Sequence, residues 1–255
     1  MKWLRTLVLF NEGDIMSSEG WKAVHQSYKD AIEKIFHPIG SGALTIRNKA
    51  RRPDSKVYDR NGVGYLRSHF LRNMMEIEGW KSEADVNLGK NRQQPVIFLY
   101  PSGEAYQEPI VSNFGGFDFL TSTLDGHKVA IEWETGNISS SHRSMNKLAI
   151  ALKTGIIQIG VLIVPSRDLY AQLTDRIGNI AELSGYLEMW ESLRPKDGRG
   201  LLAISVVEHD ALSNDPSLPY LPTASDGMSG HAKRKAAKSK TKTLTKVKSK
   251  IKGEN

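Results

Sequence analysis

The 255-residue sequence contains no cysteine, so disulfides and thiolate-held metals are excluded outright and the chain suits a reducing compartment. It also has no apolar run as long as a membrane span requires. The start, Met1-Lys2-Trp3-Leu4-Arg5, carries the charge of a signal peptide. The stretch that follows, Leu7-Val8-Leu9-Phe10, is too short for the apolar part of one and ends in Asn11-Glu12-Gly13-Asp14. Together these absences read as a soluble, cytoplasmic protein. Internal repeats are missing, and low complexity is confined to the C-terminal end. Positive charge is scarce in the body. The formal net charge is +7, yet residues 229–255 hold 10 Lys/Arg against the one acid Glu254, and residues 1–228 hold 25 Lys/Arg against 27 acids. Such a tail favours phosphate backbones through counterion release, without sequence preference. It reads equally well as a solvated end. A nucleic-acid function therefore has to be found in the body.

What is present is an alternation of helix and strand patterns. Residues 1–19 read as a ragged N-terminal extension, with Met16 a second candidate start. Residues 20–230 read as one domain and residues 231–255 as a basic, disordered tail. Trp21, Val24, Tyr28, Ile32 and Ile35 recur at helical spacing up to His37-Pro38. Ala43 to Ile46 suits a short strand, and Lys49 to Asn61 a charged loop. A second helix is expected from Tyr65 to Trp80, with Leu66, Phe70, Leu71, Met74 and Met75 inward. Strands are expected at 95–100, 117–119, 128–134, 156–164 and 201–207, the fourth a continuous apolar run fit for a buried central strand. Helices fall between them at 139–153, 166–173 and 179–190, the last opening on Asn179 with Glu182 three residues on. This order predicts an α/β fold, a central mixed β-sheet flanked by helices on both faces.

The chemistry concentrates in Ile131-Glu132-Trp133-Glu134. On a strand Val129, Ile131 and Trp133 point one way and the two carboxylates the other, roughly 6–7 Å apart. Alone, that is an exposed strand face. Asp118, within Gly115-Gly116-Phe117-Asp118-Phe119, lies 14 residues upstream of Glu132. Asp125-Gly126 between them favours a hairpin that sets the two strands side by side. An acid between aromatics, a turn and a Glu-x-Glu strand is the order of parts in a nuclease metal site. Three converging carboxylates repel one another, and a hard divalent cation, Mg²⁺, relieves this. The alternative from a different class is a non-catalytic basic DNA-binding protein whose acids are structural.

Reading on from Glu132, the string Glu-Trp-Glu-Thr-Gly-Asn-Ile-Ser-Ser to Ser140, then His142-Arg143-Ser144-Met145-Asn146-Lys147-Leu148, closely resembles the BamHI family of type II restriction endonucleases. So do Leu173-Thr174-Asp175-Arg176 with Asn179 and Glu182-Leu183, and Ser225-Asp226-Gly227-Met228-Ser229. Weaker similarity at Tyr28, Ile35, Pro38-Ile39, Asn61-Gly62-Val63, Trp80 and Glu83 extends the match over roughly residues 21–229. The resemblance implies a restriction-endonuclease-like core of the PD-(D/E)xK type, with Glu134 where the common form has Lys. It implies catalytic, metal-binding acids at Asp118, Glu132, Glu134 and Glu83, the last alternatively a surface Glu at a helix end. It implies Mg²⁺ as the cofactor, a homodimer, and cleavage of duplex DNA at a palindrome, G-G-A-T-C-C, with neither a membrane nor a small-molecule cofactor involved. Asn137, Ser139, Arg143, Asp175 and Arg176 would reach base edges, and Asp226, Gly227 and Met228 would rearrange on DNA. Structural alternatives are an Asp175–Arg176 ion pair and Ser139 as a helix cap. Met145, Leu148, Ala149 and Leu152 form a stripe suited either to the dimer or to the chain's own sheet. A same-fold nuclease of different specificity is the alternative within enzymes.

Overall fold

The computed structural model describes residues 1–84, 96–106, 115–134, 136–174, 177–195 and 198–222. Its first element is strand β1 (Lys2–Glu12), so the opening residues are not the ragged extension their sequence suggests. Two register shifts, between Trp3 and Arg5 and between Val8 and Phe10, scramble the alternation of sides and hide the strand's period of two. A knot of polar groups pins β1 in place. Thr6 Oγ1 lies 3.0 Å from His25 Nε2, 3.0 Å from the Tyr28 hydroxyl and 3.1 Å from Ser205 Oγ.

Helix α1 (Glu19–Glu33) begins where the Ser18 hydroxyl accepts from the Trp21 N–H, and it turns Trp21, Val24, Tyr28 and Ile32 inward. Strand β2 (Thr45–Arg47) and the hairpin of β3 (Ala50–Arg51) and β4 (Tyr58–Asp59) lead to α2 (Gly64–Glu76), which buries Leu66, Phe70 and Met74. Strand β5 (Ser82–Ala84) follows. The run expected as a sheet strand at 95–100 supplies β6 (Ile97–Phe98), which pairs with β7 (Ala105–Tyr106) in a separate hairpin. Phe98 and Tyr100 are exposed there. Aromatic and β-branched content favours extended backbone without choosing the sheet it joins.

Strands β8 (Phe117–Ser122) and β9 (Lys128–Trp133) form the expected hairpin, with Gly126 at φ 86° in its turn. Then come α3 (Ile138–Lys153), β10 (Ile159–Pro165) and α4 (Arg167–Gln172). The single helix expected over 179–190 is two pieces, α5 (Ile180–Leu183) and α6 (Leu187–Glu191), parted by a tight turn at Ser184–Tyr186. Gly185, a poor helix former, sits in that break. Strands β11 (Gly200–Glu208) and β12 (Ala211–Ser213) finish the described chain.

Six strands in the order β1-β11-β10-β9-β8-β5 make the main sheet. Strands β9, β10 and β11 are mutually parallel at its centre, while β1, β8 and β5 run antiparallel to their neighbours. Every residue of β10 is buried, as a strand covered on both faces must be. Helices α1, α2 and α4 cover one face and α3, α5 and α6 the other, so the α/β fold with a central mixed sheet holds. Met145, Leu148 and Leu152 of α3 pack into the core of that second face and Ala149 is buried with them. The α3 stripe therefore serves the chain's own sheet. Among the described residues no helix is long and apolar enough to cross a membrane.

Candidate active site

Pairing of β8 with β9 runs from Ser122↔Lys128 to Phe119↔Ile131, and just beyond it the Trp133 N–H donates to the Asp118 side chain. On the other side β5 pairs Ser82 with Phe119 and Ala84 with Phe117, which sets Glu83 across from Asp118. Three of the four acids singled out in the sequence thus form one row over three neighbouring strands, with Glu83 in register with Asp118 and Glu132 just past the end of the β8–β9 ladder, and Glu134 follows directly after β9. Glu83 stands in an edge strand, not at a helix end.

The carboxylates are held by different elements. Asp118 Oδ1 accepts from Arg67 Nη2 at 2.6 Å and its Oδ2 accepts from the Trp133 N–H at 2.8 Å. Arg67 comes from α2, whose Phe70 stacks on Trp133 at 4.4 Å between ring centroids and meets Phe119 edge-on at 5.9 Å. The apolar side of the hairpin thereby docks the helix that carries the cation. Glu132 points to the other face, where the Lys147 ammonium of α3 pairs with it. Lys147 is only 6% exposed. It also donates to the Gly116 carbonyl at 2.6 Å and lies 4.7 Å from the Phe117 ring centroid. Burial pushes the Glu132 carboxyl up to about 7, Lys147 opposes that push, and the Asp118 and Glu134 carboxylates add to it. Glu134 is buried as well, and its Oε1 accepts from the Gly136 N–H.

Sequence reasoning did not single out Arg67 or Lys147. Each flanks the apolar stripe of an amphipathic helix, a position that normally puts a cation in water. Only the sheet's acids distinguish them. As for a metal, an all-carboxylate donor set suits a hard divalent cation, and such an ion would offset the burial of Glu132 and the smaller push from the neighbouring Asp118 and Glu134 charges. The side chains are turned to protein cations and N–H groups, however, and among the described residues no three His, Asp or Glu groups converge as metal ligands.

The candidate base readers adjoin this row. Asn137 caps α3, its Oδ1 accepting from the Ser140 N–H at 3.2 Å, so the cap role considered for Ser139 belongs to Asn137. Ser139 and Arg143 are exposed and, four residues apart, share a helix face. The chain returns to this helix end at Ile177, which bridges to Asn137, and at Gly178, whose N–H donates to the Gly136 carbonyl at 3.1 Å. A Cβ on Gly178 would fall 1.8 Å from Ser141 Oγ, so the close approach depends on glycine. Asp175, Arg176, Asp226, Gly227 and Met228 lie outside the described residues.

The family model for restriction endonuclease BamHI matches residues 1–228. The chain belongs to the BamHI restriction endonuclease family. It is similar to the type II restriction enzyme OkrAI of Oceanobacter kriegii, 34% identical over 227 residues that cover 89% of this chain and 98% of that protein. It is similar also to the type II restriction enzyme BamHI of Bacillus amyloliquefaciens, 40% identical over 220 residues, 84% of this chain and 87% of that one. A solved structure of restriction endonuclease BGLII complexed with a DNA 16-mer covers 81% of this chain and 79% of its own, with a TM-score of 0.47 and 10% identity, a distant likeness that decides nothing here. The BamHI-family match takes in residues 1–19, in keeping with β1 as part of the sheet, and it stops before the lysine-rich end.

Proposed function

We propose that this chain is a magnesium-dependent type II restriction endonuclease that cuts both strands of a G-G-A-T-C-C palindrome as a cytoplasmic homodimer. The observation that carries the reading is the acid row of β5, β8 and β9 set beside the exposed start of α3. Asp118 and Glu132, with Glu83 and Glu134, would hold the ion, which when bound would polarise the scissile phosphate and lower the pKa of a bound water. Arg67 and the Trp133 N–H orient Asp118 in advance, which reduces the reorganisation left for the reaction. Glu134 would take the proton of the attacking water or complete the ligand set. The N–H groups that open α3 favour a nearby phosphate. Arg143 and Arg176 would fork onto guanine, Asp175 would accept from cytosine N4, and Asn137 and Ser139 would bond further base edges, each good pair adding about 1–3 kcal/mol of discrimination. Asp226-Gly227-Met228 would enter the minor groove. A two-fold dimer gives one site per strand. With the α3 stripe used in the core, the half-exposed Tyr186 and Met189 are what the second helical segment offers a partner.

The test is digestion of a plasmid with a single G-G-A-T-C-C site, with Mg²⁺ and with EDTA. One linear product, formed only with metal, is expected. One observation favours a second reading, a DNA-binding protein that does not cut: Asp118 and Glu132 are each neutralised by a protein cation. Tight binding of the site without cleavage would select it, and cleavage elsewhere would point to a nuclease of different specificity.

A further inference from the structure

We propose that Lys147 is a built-in counter-ion that holds the acid row together in the metal-free protein and weakens the row's grip on a divalent cation. The proposal rests on the reading of Asp118 and Glu132 as metal ligands. Among the described residues no other Lys or Arg is buried. An ammonium withdrawn from water is costly unless charge and hydrogen bonds replace its hydration. Here the Glu132 carboxylate, the Gly116 carbonyl at 2.6 Å and the Phe117 ring supply them.

Geometry makes this pairing more than local support. Asp118 and Glu132 lie on neighbouring strands, close enough for the Asp118 charge to act on Glu132, and α2 and α3, on opposite faces of the sheet, bring one cation to each. Two single positive charges thus occupy the role that one doubly charged ion would fill. An ion at Glu132 would meet the ammonium as a like-charged neighbour in a poorly solvated place, where such repulsion is strong. The lysine must then swing aside, or the ion is held less tightly. Lys147 sits mid-helix with Leu148 and Ala151 buried beside it, so α3 itself cannot withdraw to make room, and the adjustment falls to the lysine side chain.

The experiment compares the full chain with Lys147→Met and Lys147→Arg by thermal unfolding in EDTA and by calorimetric titration with Ca²⁺, without DNA. Lys147→Met is expected to melt lower in EDTA and to bind Ca²⁺ at least about tenfold more tightly, a shift well within one buried charge coupling. Lys147→Arg, which keeps the charge, should stay near the parent protein in both. Ca²⁺ affinity that is unchanged or weaker in Lys147→Met would overturn the proposal while leaving the metal site standing. Failure of the parent protein itself to bind Ca²⁺ would overturn both. If Lys147→Met does not fold without metal, the pair Glu132→Gln/Lys147→Met decides. Recovered melting in EDTA supports a counter-ion, and no recovery overturns it.

Discussion

Asp118 and Glu132 illustrate how much a single side chain depends on what lies across from it. Their presence was legible in the sequence, because an acid between aromatics, a Gly turn and an alternating Glu-Trp-Glu strand are local patterns. Their charge partners were not, since Arg67 and Lys147 reach them from helices 51 and 15 residues away along the chain. At this scale Glu134→Ala is expected to abolish cleavage and to leave cognate binding in Ca²⁺ intact or tighter. A gel shift beside a cleavage assay checks this, and loss of both activities would make the residue architectural. A second prediction concerns Glu208, at the end of β11. Burial works to raise its carboxyl, but hydrogen bonds from His209, the Ser166 hydroxyl and the His209 backbone N–H hold it below the ordinary value of 4.5. A depressed folded pKa contributes stability that is present above the unfolded value and lost as the pH falls through the folded one. Glu208→Gln should therefore unfold at lower urea than the parent protein at neutral pH, with the gap closing below about pH 4. A gap that stays constant with pH would show that the charge is not its source.

Helices and strands differ in how openly they are written. Strand β9 and helices α1 and α3 were legible because each keeps one period along its length, and β10 and β11 because each is a short, nearly continuous apolar run. Strand β1 was hidden by its two register shifts, and the 179–190 helix was overcalled because a good Asn179 cap says nothing of the break at Ser184-Gly185. The exposed run at 96–100 looked like sheet because composition reports backbone preference and not partners. Two predictions belong to elements. Phe70→Ala should cost about 3–5 kcal/mol, because the ring both fills the core between α2 and the β8–β9 hairpin and fixes the helix that presents Arg67. Denaturant unfolding measures the cost, and a loss below about 1 kcal/mol would contradict that packing. Asn137 carries two roles that substitution can separate. Asn137→Ala loses the α3 cap, about 1 kcal/mol, whereas Asn137→Asp keeps a cap but has no N–H to offer a base. Cognate DNA affinity should fall in both variants and stability only in the first. Normal affinity in Asn137→Asp would leave Asn137 a cap and nothing more.

For the molecule as a whole, charge is divided between a slightly acidic body and a basic C-terminal end. Deleting residues 232–255 should weaken DNA binding and flatten its dependence on salt, since fewer counterions are released, while the preferred site stays the same. Filter binding across a salt series checks this, and an altered site preference would refute it. The sequence by itself determined the class of the fold, the absence of disulfides, the family and the acids of the row, because composition, periodicity and a dense run of shared residues need no knowledge of distant contacts. Tertiary structure alone decided that residues 2–12 complete the sheet and that the α3 stripe is core. It also decided that Glu83 lies in register with Asp118, and that one cation approaches the acids from each face. Those outcomes depend on which strand pairs with which and on which helix covers which face. Such choices are made by long-range packing, and no short window of residues contains them.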